Sequence, residues 1–323
     1  MRFNLIYFFY FSLFILCLLT ISFETTDVDE IKRKTRQSQA PQSRFSRAFL
    51  STFKPERNSL HLYSDEIIDH GGQNKIYLKK PKGNLGPIRE TFFVGHTGVV
   101  DKIKSELLVS KDVIIRQANG STKADQLNFN YKNNTAIVSG NVVSVLIKPE
   151  KKVNISSREL TISDSVGVFT YLGLVSGEIK DLTNNRYGNI QFKSDLLTYN
   201  DIQKRIFLEG NAFIKREKSK IWALSGSIWL NNQGAGVKYF TMDDDVKLKD
   251  EFVSSTGDLI IRNSISEKIE GFAAEEKLVL SGFPQVEQDG DIIKGNEMII
   301  REDQEMIEII NTNSQFKLNG RKN

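Results

Sequence analysis

The chain is poor in cysteine, in histidine and in net charge. Only one of its 323 residues is cysteine, Cys17, so no disulfide and no cysteine-based metal site can form within one chain. Its 44 lysines and arginines barely outnumber its 40 aspartates and glutamates, so no long-range field of one sign directs it to nucleic acid. Stretches of helical periodicity are few, and aromatic and β-branched residues are plentiful, which favours strands. There is no GxSxG elbow, no HExxH pair, no phosphate-cradling glycine loop and no dinucleotide fingerprint.

The remaining candidates for chemistry are weak. The three histidines, His61, His70 and His96, fall at irregular spacing near Asp65, Glu66 and Asp69. Zinc would need convergent ligands, and exposed turn histidines are the simpler expectation. Asp243, Asp244 and Asp245 suit either a calcium loop or, more simply, a solvated turn between strands. Glu275 and Glu276 read as the approach to a strand rather than an acid/base pair. Trp222, Trp229, Tyr239 and Phe240 concentrate aromatic area that could stack on sugars or bases, but sheet packing is the expected use. No catalytic group, metal or cofactor is therefore expected.

One long apolar run is present. Leu5–Phe23 has no charge over nineteen residues, and as a helix would rise roughly 28 Å, close to the ~30 Å hydrocarbon core. Arg2 precedes it, and Glu24, Asp27, Asp29 and Glu30 follow, which places the N-terminus in the cytoplasm and the bulk of the chain outside. The basic cluster Lys32, Arg33, Lys34 and Arg36 opposes that orientation. A cleaved signal peptide is the alternative, but no small-x-small site follows the run. The expected division is residues 1–24 as anchor, 25–58 as juxtamembrane linker, 59–110 as the opening of a β-roll and 111–318 as a β-repeat domain.

From His61 onward the chain alternates. Leu127, Phe129 and Tyr131 are separated by Asn128 and Asn130, and Leu160 and Ile162 by Thr161. Period two is the strand signal. The segments also recur, each with small or polar residues, usually an acid, then an apolar strand. Asp125, Glu159, Asp195, Asp258 and Glu297 are spaced 34, 36, 63 and 39 apart, with Ser227 standing where an acid is missing. Gly140, Gly177, Gly210 and Gly282 close units at spacings of 37, 33 and 72, and the unit near Asp243–Asp245 lacks its glycine. A period in the mid-thirties made only of strands implies hairpin units stacked along an axis.

In two sheets or a V-shaped roll, one strand face lines a long interior. Its expected lining is Leu127, Phe129, Leu160, Ile162, Leu196, Ile206, Leu208, Ile228, Leu230, Ile261, Leu278, Leu280, Met298 and Ile300. Such an interior is either a dry core or an apolar groove.

Two units, Ala124-Asp125 through Gly140-Asn141-Val142 and Ser194-Asp195 through Gly210-Asn211-Ala212, resemble the OstA-type repeat of the lipopolysaccharide-export proteins LptA and LptC. The resemblance spans about Asp112 to Phe316. It implies an all-β, V-shaped jellyroll of stacked antiparallel strands after one N-terminal transmembrane helix. It also implies lipopolysaccharide as cargo, an inner-membrane ABC transporter at one end and an LptA-like or outer-membrane partner at the other. The anchor resembles LptC and the extra units resemble LptA. The expected location is the inner membrane, single-pass, with a periplasmic bulk. The competing expectations are an anchored structural or adhesive β-solenoid without lipid, and an enzyme acting on envelope polysaccharide.

Overall fold

The computed structural model describes residues 42–51, 61–85, 91–148, 151–163, 167–182, 189–231, 236–254, 256–301, 306–310 and 315–317. The apolar run Leu5–Phe23 lies outside them. Among the described residues no helix is long and apolar enough to cross a membrane.

The described chain is almost entirely strand. It opens with β1 (Gln42–Ser51), β2 (His61–His70), β3 (Lys75–Lys79), β4 (Lys82–Asn84), β5 (Phe92–Val94) and β6 (Thr97–Asp101). Long strands follow: β7 (Glu106–Gln117), β8 (Gly120–Asn130), β9 (Thr135–Lys148), β10 (Lys151–Ser163) and β11 (Val168–Asp181). The series continues with β12 (Ile190–Asn200), β13 (Arg205–Arg216), β14 (Ser219–Leu230), β15 (Val237–Val253) and β16 (Leu259–Phe272). Short strands close it: β17 (Lys277–Ser281), β18 (Gln285–Gln288), β19 (Asp291–Lys294), β20 (Glu297–Arg301), β21 (Ile307–Ile310) and β22 (Gln315–Lys317).

Consecutive long strands pair antiparallel in a simple meander. The short strands are halves of the same kind of layer. β3 and β4 both pair with β2, β5 and β6 both with β7, and β17 and β18 both with β16. Counted this way, the described residues form seventeen successive layers in one sheet.

Each long layer turns a corner partway along. The register slips between Lys123 and Gln126, Ser157 and Glu159, Lys193 and Leu196, Glu209 and Ala212, and Asp243 and Val246. A bulge bends the strand that carries it, so a line of bulges makes a crease. The crease divides every layer into two arms. The first arm ends in turns such as that between Asn200 and Arg205, and the second in turns such as that between Arg216 and Ser219.

Two kinds of corner alternate. One kind places two residues in the left-handed region: Lys111-Asp112, Gly140-Asn141, Gly173-Leu174, Gly210-Asn211, Asp244-Asp245 and Gly282-Phe283. The layer beside it presents a small residue and, usually, an acid: Ser64-Asp65, Ala124-Asp125, Ser157-Arg158, Ser194-Asp195 and Ser266-Glu267. At two corners the pair locks identically. The Asn141 amide donates to Asp125 Oδ2 at 2.9 Å, and the Asn211 amide to Asp195 Oδ2 at 2.7 Å. A Cβ on Gly210 would lie 2.7 Å from Asp195 Oδ2, so both φ and space require glycine there. Serine does similar work elsewhere. Ser64 Oγ donates to Glu66 O and to Lys79 O, each at 2.7 Å, and Ser157 Oγ donates to Glu159 O at 2.9 Å.

This geometry corrects the expected phase of the repeat. Gly177 is not a corner. It faces the interior, where a Cβ would strike the Phe192 ring, and Gly173 turns that layer. Arg158 rather than Glu159 faces that glycine, and Glu267 rather than Asp258 faces Gly282. Asp243–Asp245 lie within β15 at its corner, not in a turn between strands. Gln42–Ser51, inside the stretch expected as linker, forms the first layer, and β7 spans the expected boundary at residue 110, which falls at that strand's corner.

Replacing Gly210 by alanine is expected to destabilise the protein by about 1–3 kcal/mol, because alanine must hold a left-handed φ against Asp195. Ile202→Ala, at an exposed turn position, should stay within about 0.5 kcal/mol. Urea unfolding followed by far-ultraviolet circular dichroism of both variants checks this.

Candidate functional site: the interior between the arms

Alternation along each strand sends one set of side chains between the arms. In the first arm these include Leu127, Phe129, Leu160, Ile162, Tyr171, Ile206, Leu208, Ile228, Leu278, Leu280, Met298 and Ile300. In the second arm they include Val113, Val142, Ile155, Phe192, Ile214, Ile221, Val246 and Leu248. All belong to one continuous cluster. Twelve of the fourteen residues expected to line the interior lie in it, Leu230 among them. Leu196 and Ile261 do not: Leu196 is half-buried and Ile261 is 41% exposed, while their neighbours Leu197 and Ile260 point inward. Both errors have one cause. In each case two apolar residues are adjacent, and alternation alone cannot say which faces in.

The interior is closed along these residues. Leu127, Ile206, Leu208, Ile228, Leu280 and Met298 are 0% exposed, so side chains from the two arms fill the space between them. Two contacts tie the arms together. Tyr171, on the first arm, hydrogen-bonds to Ser144, on the second, and Ser144 Oγ lies 2.8 Å from Thr122 Oγ1. Lys151, at the tip of the second arm, donates through Nζ to the carbonyl of Asn231, at the tip of the first, at 2.8 Å. That last bond spans the mouth of the V.

The lining is not uniform. Along the second arm one inward row reads Leu146, Val153, Ile179 and Ile190 in register. It continues as Arg216, Ser219, Asp250 and Arg262. Arg262 is fully buried, stacked 4.6 Å from the Phe252 ring centre, donating to Gln288 at 3.0 Å and lying 3.7 Å from the Asp250 carboxylate. Ser219 donates to Asp250 Oδ1 at 2.6 Å. Burial lowers the Arg262 pKa and the Asp250 charge opposes that shift. The sequence signal for this polar end was present as Arg216, Asp250 and Arg262 on inward positions, but it shows only once the register is fixed.

The expected aromatic concentration separates into three places. Phe240 is buried in the interior. Trp229, Tyr239 and Phe272 form an outward row on the first arm, with ring centres 4.9 and 5.1 Å apart. Arg205 caps it over Trp229 at 4.7 Å and Lys277 over Phe272 at 4.7 Å. The Tyr239 hydroxyl donates to Glu270, which holds that carboxyl below its usual range. Trp222 lies on the outer face of the other arm, against Phe213 at 5.4 Å. The histidines stay apart. His61 is 3.1 Å from Ser51 Oγ, and His70 meets Tyr77 edge-on at 5.6 Å. Among the described residues no three His, Cys, Asp or Glu side chains converge as metal ligands.

Residues 191–306 match the family model described as LptA/(LptD N-terminal domain) LPS transport protein. The family resemblance read from the repeat is borne out over those residues, which include the Asp195–Asn211 corner. Among solved structures, the chain is similar to LptH, described as the LptA homologous periplasmic component of the conserved lipopolysaccharide transport device from Pseudomonas aeruginosa. The identity is 12% and the TM-score 0.37, over 42% of this chain and 99% of that one. No curated protein matches the chain.

Burial pushes the Tyr171 phenol up to about 12, and burial together with Asp201 raises that of Tyr199. The folded chain thus holds both phenols neutral, and their contribution to stability is complete below pH ~10, the value in an unfolded chain. Stability should fall as pH rises from about 10 through 12, and by less in Tyr171→Phe. Urea midpoints measured across that range, with tyrosinate absorbance at 295 nm, check the direction.

Proposed function

We propose that this chain is a tethered component of the periplasmic lipopolysaccharide bridge, carrying acyl chains between its two arms. The observation that carries this reading is the single apolar interior running through successive layers, in a chain whose residues 191–306 match a lipopolysaccharide-transport family. Shielding acyl chains needs no catalytic group. Each buried methylene contributes about 0.8 kcal/mol, so even partial cover of several chains is a large term.

The closed interior dictates how loading proceeds. Acyl chains enter by displacing contacts between the arms, and the Lys151–Asn231 bond and the Tyr171–Ser144 bond must part for them. The apolar rows favour acyl chains near β8 to β13. From β13 to β16 the Arg216–Asp250–Arg262 row makes the second arm polar, while the first arm stays apolar through Leu278, Leu280, Met298 and Ile300. In this reading Leu5–Phe23 anchors the chain in the inner membrane beside an ABC transporter that supplies the lipid. Terminal layers such as β1, paired on one side among the described residues, present strand edges to a transporter component or an LptA-like or outer-membrane partner.

The same closed interior also supports a second reading, an anchored β-solenoid with a dry core and no cargo. Two measurements separate them. A photo-crosslinking residue at Leu208 or Ile228 is expected to form lipopolysaccharide adducts in cells, whereas failure from every inward position would sink the transport reading. In a Cys17→Ser background, Lys151→Cys and Asn231→Cys joined by a short reducible bis-thiol linker should block those adducts, and reduction should restore them.

A further inference from the structure

The outer face of the second arm carries a feature that interior transport does not use. Five lysines, Lys193, Lys215, Lys220, Lys247 and Lys249, stand on the outward side of the neighbouring strands β12 to β15. Register places them in two adjacent rows. One runs Lys193, Phe213, Trp222, Lys247, Ile265, Gln285, and the other Lys215, Lys220, Lys249, Asn263, Glu287. Acids answer only part of this charge. Glu251 pairs with Lys249 at 3.0 Å, Asp245 lies 3.6 Å from Lys247, and Glu287 borders the second row.

These rows are not flat. A depression of about 350 Å³ lies between them, lined by Trp222, Lys247, Lys249, Asn263, Ile265 and Gln285, with Glu287 at one side. The fold makes it. The crease slips between Trp222 and Ser225 and again between Asp243 and Val246, and β18 pairs with β16 only from Arg262 to Ile265. Trp222 is 42% exposed and leans on Phe213, so its ring is held rather than free.

We propose that this depression binds an acidic saccharide, with Trp222 and Ile265 under the apolar face of a sugar ring. Asn263 and Gln285 then meet hydroxyl groups, and Lys247 and Lys249 meet a carboxylate or phosphate. The chemistry of the lining favours this occupant. A pyranose has an apolar C–H face and a rim of hydroxyls, and this site offers an indole face beside carboxamides. The charge complement comes from the whole face, where five lysines outnumber Asp245, Glu251 and Glu287, and an incoming anion takes Lys247 and Lys249 from their exposed ion pairs. A polypeptide adding by strand pairing needs a free edge, and here β13, β14, β15 and β16 are each paired on both sides. A bilayer surface favours protruding apolar side chains over an indole set in a depression.

The test uses the full chain in detergent with Trp229→Phe, so that Trp222 is the one indole. Tetragalacturonate is expected to quench its fluorescence saturably, and neutral maltotetraose to bind at least tenfold more weakly. Lys247→Ser with Lys249→Ser should weaken tetragalacturonate binding at least tenfold while the far-ultraviolet melting curve is unchanged. The proposal is overturned by an absence of saturable quenching, or by binding that is unaltered in the double variant. It is also overturned if Trp222 fluorescence responds to added phosphatidylglycerol but not to tetragalacturonate. Lipopolysaccharide adducts from Leu208 report on the interior alone, so the two proposals stand or fall separately.

Discussion

The structure depends on a crease. Each strand is too long to lie flat on a small core, and each must bend at the height where its neighbours bend. A bulge in one layer alone would cost a ladder bond and gain nothing. Bulges in every layer, aligned, turn one sheet into two arms that can bury each other's inner faces. The side chains that matter most for this are outside the apolar core. They are the Asp125–Asn141 and Asp195–Asn211 pairs and the serines that satisfy backbone carbonyls where the ladder is interrupted. Once the corners are fixed, alternation does the rest, because each arm then has one face that water cannot reach.

Much of this was legible in the sequence, and the parts that were not have specific causes. Period-two alternation gave strands, and recurrence of the small–acid and Gly-Asn pairs gave stacked units. What the recurrence could not supply was phase. A corner is defined by two residues in the left-handed region, and Lys111-Asp112 and Asp244-Asp245 adopt it without glycine. Conversely, Gly177 looks like a corner but makes room for Phe192. Where two apolar residues adjoin, as at Leu196-Leu197, alternation does not say which faces inward, and the bulge after Lys193 shifts the inward set to Leu197. The first layer was hidden because its apolar residues Phe45 and Phe49 are exposed, and the residues between them, Ser46, Arg47 and Ala48, are mostly polar. The polar row in the second arm escaped notice because its members lie on four different strands.

The interior therefore has two characters along its length. Near β8 to β13 the first arm supplies bulky aliphatic and aromatic side chains with a few neutral hydroxyls. From β13 to β16 the second arm supplies two buried arginines and an aspartate, with Ser219 donating to Asp250 and Arg262 donating to Gln288. Buried charge of this kind contributes little net stability when paired and costs much when a partner is removed. It sets a charged row on one arm opposite an apolar first arm. The outer faces divide similarly, with an aromatic row capped by cations on one arm and a lysine-rich depression on the other.

The alternation of corner types limits how such a molecule can change length. A small–acid corner fits against a left-handed pair, and two corners of the same type in adjacent layers would leave an acid facing an acid or two left-handed turns facing each other. An antiparallel meander likewise cannot accept one strand without sending the chain off the wrong edge. Insertion or loss is tolerated only in whole pairs, and each pair changes the reach of the stack by about 10 Å. Homologous recombination between units would thus generate a ladder of discrete lengths. The two Asp–Gly-Asn corners keep one spacing, 16 residues from aspartate to asparagine, as a stack built from whole pairs requires.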